Sequence, residues 1–353
     1  MNLREIIFND IMKDFNKKYK EYDSLKEYIN SFTKEELYRA SLKSGLTTSN
    51  KELSKVLVAN TSTKDKMVNY VINNLNTIIK SHLLSLDDRD LEFLNEVLNN
   101  GNSIVVENNK VPLLLITNLG HSILMHVHYD KEKETVNINV QKDIAKEIKK
   151  ILKSKSFIKE HKDINKFENN IEVLLEVYGI IDLDNLYKIY NEVFEEIDKE
   201  IFDNYLLHLI IKDGPLTEVR VNDINYVTTM ILDEIEAEEY INNLTGEYKI
   251  YPKEFYFDVF NRDYLKSLKS YENIYDYLLK YYDLDLNEEE EIFELIVCDY
   301  IYQLQESKSR AKESILKNLD RYFEINSKEK NIIINYLNKI YYDYPKWRKK
   351  GNI

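Results

Sequence analysis

Three of the six histidines lie within eight residues, at His121, His126 and His128. Imidazole is a common metal ligand. Alternate side chains of a β-strand point to one face, so His126 and His128 would lie together. With a carboxylate partner they could hold a metal ion, although no cysteine lies near. Exposed hairpin histidines are the interpretation that the pattern favours. We therefore keep His126 and His128 as metal-ligand candidates and assign no catalytic residue.

A second constellation has the spacing of a calcium-binding loop. It begins with Asp283, Asp285 and Asn287, and Glu294 occupies the twelfth position. Such a loop needs glycine at its sixth position for a sharp turn, and Glu288 stands there instead. Helix capping by Asp285 or Asn287, with acidic residues in the first turn, accounts better for this segment.

A run of lysines could bind an anion. Between Lys142 and Lys162 there are eight lysines and three acidic residues, which favours phosphate or nucleic acid as a ligand. A solvated helix face is the simpler interpretation, because lysine is abundant throughout the chain. The nucleic-acid-binding candidates are Lys142, Lys146, Lys149, Lys150, Lys153 and Lys155.

The C-terminal residues Trp347, Arg348, Lys349 and Lys350 combine an aromatic ring with positive charge. Such a tail could stack on a base or bind a phosphate. The alternative, which we favour, is a frayed terminus anchored by Trp347.

The chain has none of the glycine-rich phosphate loops, the G-x-S-x-G nucleophile motif or the H-E-x-x-H zinc motif. Only seven glycines occur in 353 residues. We therefore expect no cofactor. A site built from dispersed carboxylates stays open, because paired acids need no local motif.

Helix start signals are clear near the N-terminus. Thr33 and Glu36 have the spacing of a capping box, and the helix that they begin should end at Gly45. A second box, Ser49 to Glu52, predicts a short helix through Val58. A third helix should begin at residues 61–63. Its apolar face would contain Val68, Val71, Ile72, Leu75 and Ile79.

This N-terminal segment resembles the helix-loop-helix of Rho N-terminal and SAP-like modules. The resemblance rests on FTKEEL, the pair Gly45-Leu46 and the later helix KDKMVNYVI, over about 50 residues. It departs from the family pattern by the extra helix at residues 50–58. Such modules often contact nucleic acid, so the resemblance implies that role for residues 1–85, with a helical packing unit as the alternative.

Residues 86–166 change character. A capped helix (LDDRDLEFLNEVL), an extended piece (SIVVE) and a brief helix (KVPLLLITNLG) precede a hairpin of SILMHVHY and TVNINV, and QKDIAKEIKKILK follows as a helix. The order of helix, strand, helix and hairpin is similar to that of a winged-helix module.

Residues 167–252 repeat this plan loosely. Helices near 167–178, 183–195 and 198–212 precede a hairpin that turns at Asn222-Asp223. The elements that would enter a DNA groove are KVPLLLITNL and EIFDNYLLHLIIK. Both are apolar or acidic where a recognition helix presents Arg, Lys, Asn or Gln. Such faces suit protein docking or internal packing.

Residues 253–353 should form a helical C-terminal domain. In EEEEIFELIVCDYIYQLQES, one wide apolar stripe runs from Ile292 to Leu304. The end of the chain resembles a Pro-x-Trp-x-x-x-Gly signature of uncharacterised proteins from low-GC Gram-positive bacteria, carried by Pro345, Trp347 and Gly351. That family implies no agreed activity.

Composition predicts a mainly α (α+β) protein of several modules, because glycine and proline are scarce. One cysteine, no signal peptide and no apolar run long enough to span a membrane predict a cytoplasmic protein without a membrane partner. The net charge of -13 divides into +4 for residues 1–166 and -17 for the remainder. This argues against nucleic acid as a partner of the C-terminal half.

Two functional hypotheses follow. The first is a non-enzymatic regulatory or adaptor protein that binds a protein partner, with a nucleic-acid contact through the more basic N-terminal half. The second is an enzyme with a dispersed carboxylate and histidine site, metal-assisted around His126 and His128. A pocket that joins these histidines to a carboxylate would favour the second hypothesis, and a broad exposed apolar or charged surface would favour the first.

Overall fold

The chain is mainly helical and contains two small three-stranded antiparallel sheets, as the composition predicts. The structure, a computed structural model, describes residues 8, 11–13, 15, 19–45, 63–112, 115–116, 119, 122–211, 216–230, 232, 234–281, 288–306, 311–317 and 326–353. Two compact units are present. Unit 1 contains Met1–Glu168 and Lys199–Gly214, and unit 2 contains Asn169–Asp198 and Pro215–Ile353. The predicted four-module organisation is a different division and stays a prediction.

Fifteen helices are labelled within the described ranges, and they are numbered in chain order. They are α1 (Leu25–Asn30), α2 (Lys34–Gly45), α3 (Lys64–Asn73), α4 (Leu75–Leu84), α5 (Asp88–Asn99), α6 (Lys142–Leu152), α7 (Lys155–Tyr178), α8 (Leu183–Val193), α9 (Lys199–Ile211), α10 (Glu234–Asn242), α11 (Lys253–Phe260), α12 (Asp263–Ser267), α13 (Lys269–Tyr281), α14 (Glu288–Glu306) and α15 (Ser327–Asp343). None of these helices has the length and apolarity that a bilayer-spanning segment needs.

Strands contribute a small part of each unit. They are β1 (Ser103–Glu107), β2 (His126–Asp130), β3 (Thr135–Asn139), β4 (Ile180–Asp182), β5 (Thr217–Val221) and β6 (Ile224–Thr228). The first sheet has the order β1-β3-β2 and the second has the order β4-β6-β5. In both sheets the strand that is first in the chain therefore pairs with the strand that is last.

The predicted capping box of α2 is confirmed. The backbone N–H of Thr33 donates to a carboxylate oxygen of Glu36 at 2.6 Å, and the Glu36 N–H donates to the Thr33 hydroxyl at 3.2 Å. The helix predicted after the box at Ser49 lies outside the described residues. The third predicted helix is interrupted at Asn74, whose side-chain amide donates to the Tyr70 carbonyl at 2.9 Å and competes with the helical hydrogen bonds.

The first sheet covers the core of unit 1 with its inward face. Val127, Val136 and Ile138 are buried on that face, and Val127 lies opposite Ile138 in the register. The strand predicted to begin at Ser122 begins instead at His126. The hydroxyl and the backbone N–H of Ser122 both donate to the Leu119 carbonyl, at 2.6 and 2.9 Å, which forms a turn there.

Helix α9 is attached to unit 1 by aromatic packing. The rings of Phe167 and Phe202 meet edge to face at a centroid distance of 5.2 Å, and Tyr205 contacts the same Phe167 ring. Apolar side chains of α9 spaced three or four residues apart are buried, as an amphipathic helix requires. They are Phe202, Leu206 and Leu209.

The second sheet begins with a strand that the sequence pattern did not reveal. Gly179, with φ +68, ends α7, and its N–H donates to the Leu175 carbonyl at 2.7 Å. β4 follows at once and pairs with β6. The predicted turn at Asn222 and Asp223 is confirmed, since both residues have positive φ angles, which the tight two-residue hairpin turn demands.

Helices α13 to α15 form the C-terminal part of unit 2, as predicted. The apolar stripe of α14 is buried from Ile296 to Leu304, whereas the side chains of Ile292 and Phe293 lie outside the described residues. Helix α15 begins with a capping box between Asn326 and Glu329.

Candidate functional site

The predicted lysine surface lies on α6, apart from Lys153 just after its end and Lys155 at the start of α7. The opposite face of this helix is apolar and buried through Ile144, Ala145, Ile148 and Ile151. The lysines are spaced so that most of them share the outward face. Five of the six predicted residues are exposed, namely Lys142, Lys146, Lys150, Lys153 and Lys155. They form an exposed positive stripe, which is called the α6 stripe below.

Lys149 differs from the other five lysines because it is part of the fold. Its ammonium group donates to the Leu98 carbonyl at 2.8 Å and to the Asn102 side chain at 3.3 Å. The Leu98 carbonyl belongs to the last turn of α5, where helical carbonyls lack partners within their helix. This lysine therefore connects α6 to the end of α5.

The two histidine candidates lie on the outward face of the first sheet. His126 is opposite Asn139 and His128 is opposite Asn137 in the strand register, and both imidazoles are half-buried. The Tyr19 ring meets the His126 ring edge to face at 5.4 Å. Strand alternation does place the two histidines on one face.

A metal site at His126 and His128 would still require a third ligand. Within the described ranges, no group of three or more His, Cys, Asp or Glu side chains could hold a metal ion. His121 lies outside those ranges. The assignment of His126 and His128 as metal ligands stays a prediction.

The structure describes only the later part of the segment that has the spacing of a calcium-binding loop. Residues 282–287 lie outside the described part of the chain. Glu294 is nearly buried and accepts hydrogen bonds from Arg262 at 3.2 Å and from Lys266 at 2.7 Å. These two cations hold the pKa of Glu294 below its ordinary value, against the opposing effect of burial. Glu294 thus stabilises the packing of α14.

The C-terminal segment is an integral part of unit 2, so the predicted anchoring by Trp347 is confirmed and the predicted fraying is wrong. Trp347 is 1% exposed, and its indole N–H donates to the Glu176 carbonyl at 2.9 Å. The Arg348 carbonyl accepts from the Thr245 N–H at 2.9 Å, and the Lys350 carbonyl accepts from the Lys249 N–H at 3.1 Å. The indole is therefore not accessible for stacking on a base.

Two glycines make this anchoring sterically feasible. A Cβ atom on Gly179 would overlap the Trp347 indole, and a Cβ atom on Gly351 would lie 2.7 Å from the Tyr178 ring. Both glycines also have positive φ angles, which L-residues rarely adopt. The residues of the Pro-x-Trp-x-x-x-Gly pattern thus serve close packing.

A cavity of about 480 Å³ in unit 2 combines charged and apolar groups. The charged and thiol groups of the cavity come from distant elements. They belong to Glu176 of α7, to Arg262 before α12, and to Cys298 and Asp299 of α14. Aromatic and aliphatic residues form the remaining walls. They include Phe260, Leu265, Leu295, Ile301, Tyr302, Tyr344 and Trp347.

The electrostatics of this cavity are dominated by burial. Burial raises the pKa of the Glu176 carboxyl to about 7, although the positive charge of Arg262 opposes the shift. Burial likewise raises the pKa of the Cys298 thiol to about 11. A carboxyl that titrates near neutral pH is characteristic of binding and catalytic sites, whereas a thiol with a raised pKa stays protonated at neutral pH and reacts slowly.

Arg262 has a backbone conformation that is unusual for its residue type. Its φ angle is +68°, in the left-handed region that glycine prefers. The connection between α11 and α12 turns at this residue, and the guanidinium reaches Glu294. Strained positions of this kind occur often where a side chain must be aimed at a site.

Sequence reasoning missed all the ionisable residues of this cavity. One signal was present, because Glu176 interrupts the apolar run VLLEVY near the end of α7. A charged residue among buried apolar neighbours in the last turns of a helix is uncommon and indicates a candidate functional residue.

The exposed face of α9 combines apolar and acidic side chains. Ile201 is 45% exposed and Leu207 is 37% exposed, and Glu200 and Asp203 are exposed on the same helix. An ion pair of 3.0 Å joins Lys199 to Asp203. This surface is called the α9 face below. It belongs to the segment EIFDNYLLHLIIK, which would enter a DNA groove in a winged helix, and it presents no arginine.

The other segment considered for DNA reading is packed inside unit 1 where it is described. Leu115, Ile116 and Leu119 are completely buried. Neither segment contains an arginine, and the apolar residues described in KVPLLLITNL are buried rather than presented to a ligand. Comparison with protein-family models, with curated proteins and with solved structures finds no match to this chain.

Proposed function

We propose that the protein is a non-enzymatic regulatory or adaptor protein that binds a protein partner through the α9 face. The observation that carries the proposal is the exposure of Ile201 and Leu207 beside Glu200 and Asp203. Apolar anchors surrounded by charge are typical of surfaces that bind other proteins. The partner would present an apolar residue flanked by lysine or arginine.

We also propose that residues 86–166 and 167–252 are two winged-helix-like modules. The shared strand orders β1-β3-β2 and β4-β6-β5 support it, since a winged helix also pairs its first strand with its last. A SAP-like origin for residues 1–85 is part of the same proposal, supported by the capped start of α2. A winged helix without polar donors on its reading helix suits protein docking.

A site-specific cross-link tests the protein partner. The photoreactive amino acid p-benzoylphenylalanine replaces Ile201 in the full-length chain, expressed in the cells that naturally produce the protein. We expect a discrete cross-linked species after irradiation. The same replacement at Ile158, which is 55% exposed on α7 in unit 1, is the matched control and should give none.

A second substitution tests whether the cross-link depends on the α9 face. Leu207→Glu, introduced into the chain that carries the cross-linker at position 201, should abolish the discrete species by placing a charge in the contact. If position 201 gives no discrete species, or if Leu207→Glu leaves it unchanged, the α9 face is not the binding surface and the proposal fails.

A nucleic-acid contact through the α6 stripe is the second candidate function. The exposure of Lys142, Lys146, Lys150 and Lys153 favours it, because each ammonium group can displace a counterion from a phosphate backbone. We expect the full-length protein to bind mixed-sequence nucleic acid more weakly at high salt. Changing these four lysines to Glu should abolish that binding.

The control for the α6 stripe is a variant with the same change in net charge at another place in unit 1. Lys26, Lys110, Lys131 and Lys133 are exposed and serve this purpose. If both variants bind equally weakly, the attraction comes from net charge alone. If the α6 variant binds as the unchanged protein does, the stripe is only a solvated helix face.

A further inference from the structure

Glu176 is the group in the unit 2 cavity whose carboxylate has no directly bonded partner, although the charge of Arg262 acts on it from nearby. Among the described residues, no hydrogen bond or ion pair to its carboxylate is present, although its backbone carbonyl accepts from Trp347. Arg262, the cation of the cavity, is bonded to Glu294 at 3.2 Å. Asp299 accepts from the Ser314 hydroxyl at 2.8 Å. The cavity therefore has an unmet need for a positive charge or a hydrogen-bond donor.

The walls around Glu176 are aromatic. The Tyr302 and Trp347 rings meet edge to face at a centroid distance of 4.6 Å, and both line the cavity. The side-chain amide of Gln305 fixes the backbone beside them, because it donates to the Pro345 carbonyl at 2.6 Å and accepts from the Trp347 N–H at 3.1 Å. Such walls are preorganised and attract both apolar groups and cations.

The mouth of the cavity is apolar and open to solvent. Phe260 and Leu295 lie at its rim, where they are 37% and 53% exposed. A volume of about 480 Å³ is in the range of pockets that enclose small organic molecules. The cavity thus offers an apolar entrance, aromatic walls and two carboxylates, of which Asp299 is bonded to Ser314 and Glu176 has no directly bonded partner.

We propose that this cavity binds a small primary amine with an aromatic or branched apolar body, whose ammonium group pairs with the carboxylate of Glu176. The apolar body would contact Tyr302 and the rim, close to the buried Trp347. This site belongs to unit 2 and is independent of the protein-binding role proposed for the α9 face of unit 1.

The emission of Trp347 measures the proposed binding directly, because it is the single tryptophan of the chain and lines the cavity. The full-length protein is titrated at pH 8 with three probes that share one body: 2-phenylethylamine, 2-phenylethanol and 3-phenylpropionate. We expect the amine to bind at least about tenfold more tightly than the alcohol, which corresponds to one charge-assisted hydrogen bond. The carboxylate should bind most weakly.

Glu176→Gln tests the role of the carboxylate, since the amide keeps its shape and removes its charge. In this variant the preference for the amine over the alcohol should fall to about twofold or less. Glu238→Gln, at an exposed position of α10, is the matched control and should keep the preference. Binding of the alcohol by the Glu176→Gln protein would show that the cavity is still formed.

A second readout uses the single cysteine. Cys298 lines the same cavity, so 2-phenylethylamine should slow its reaction with a small thiol reagent. Equal binding of amine and alcohol, tighter binding of 3-phenylpropionate, an unchanged amine preference in Glu176→Gln, or no response to any probe would each overturn the proposal.

Discussion

The indole N–H of Trp347 donates a hydrogen bond of 2.9 Å to the backbone carbonyl of Glu176. The same two residues line the cavity of unit 2. The C-terminal segment and the end of α7 are thus joined at the position where the unpaired carboxyl group lies. Substitutions around this contact should therefore change both the free energy of unfolding of unit 2 and the surroundings of Glu176 in the cavity.

Gly179→Ala should strongly destabilise unit 2. The new Cβ atom would overlap the Trp347 indole, and the residue would have to keep a φ angle of +68°. We expect a loss of about 2–4 kcal/mol in the free energy of unfolding, from overpacking and left-handed strain together. Denaturant unfolding followed by Trp347 fluorescence measures it.

Gly101→Ala is the matched control for that substitution. Its φ angle is +74°, but a Cβ atom there would meet nothing within 4 Å. Only the backbone strain of about 1 kcal/mol remains. Equal losses in the two variants, measured by circular dichroism, would show that contact with the indole is unimportant.

Gln305→Met should leave two backbone groups without partners. The amide of Gln305 bonds the Pro345 carbonyl and the Trp347 N–H, and the residue is 2% exposed. We expect a loss of about 2–4 kcal/mol, because buried polar groups without partners are costly. Gln303→Met, at a half-buried position two residues earlier on α14, should change stability by less than about 0.5 kcal/mol. Similar melting temperatures for the two variants would contradict this assignment.

Lys149→Met should destabilise unit 1, whereas Lys146→Met should not. Lys149 donates to the Leu98 carbonyl and to Asn102, and Lys146 is exposed. The expected loss is about 1–2 kcal/mol for Lys149→Met and less than about 0.5 kcal/mol for Lys146→Met. Urea unfolding followed by circular dichroism distinguishes them, and equal stability would mean that the contact with α5 is not maintained in solution.

The titration of Glu176 should make stability fall as the pH rises. Its pKa is about 7 in the folded protein, compared with 4.5 for an ordinary glutamate. The folded state therefore binds more protons between pH 4.5 and 7, so the stabilisation is complete below pH 4.5 and is lost as the pH rises through 7. Between pH 5 and 8 this group should lower the free energy of unfolding by about 2–3 kcal/mol.

Glu176→Gln should remove this part of the pH dependence. Arg262 faces Glu176 as a permanent cation, and Asp299 lies in the same cavity. Burial keeps the pKa of Cys298, Tyr302 and Tyr344 above their ordinary values, so these groups stay neutral. The variant should be more stable than the unchanged protein at pH 8 and similar to it at pH 5. A constant difference across this range would contradict the assignment.

Local signals predicted much of the fold. The box of Thr33 and Glu36 marks the start of α2, and the pair Asn222-Asp223 marks the tight turn between β5 and β6. Both signals depend on interactions between residues at most three positions apart. The apolar stripe of α14 is equally local, because helical periodicity determines which residues lie on one face.

The cavity could not be predicted, because its groups come from elements that are distant in the sequence. Glu176 ends α7, Arg262 precedes α12 and Cys298 lies within α14. Anchoring by Trp347 was predicted, but its packing partner could not be, since the glycine that accepts its indole is Gly179. The α6 stripe was predicted residue by residue, but periodicity could not show that Lys149 has a partner in α5.

The chain passes between its two units three times, because Asn169–Asp198 belongs to unit 2 and Lys199–Gly214 belongs to unit 1. During synthesis, unit 1 can be completed only after the first segment of unit 2 has left the ribosome. The Trp347 contact similarly requires synthesis to have passed residue 347. Domains usually fold in order as they emerge. In this protein the growing chain must instead keep an incomplete first unit until the helix Lys199–Ile211 has been made.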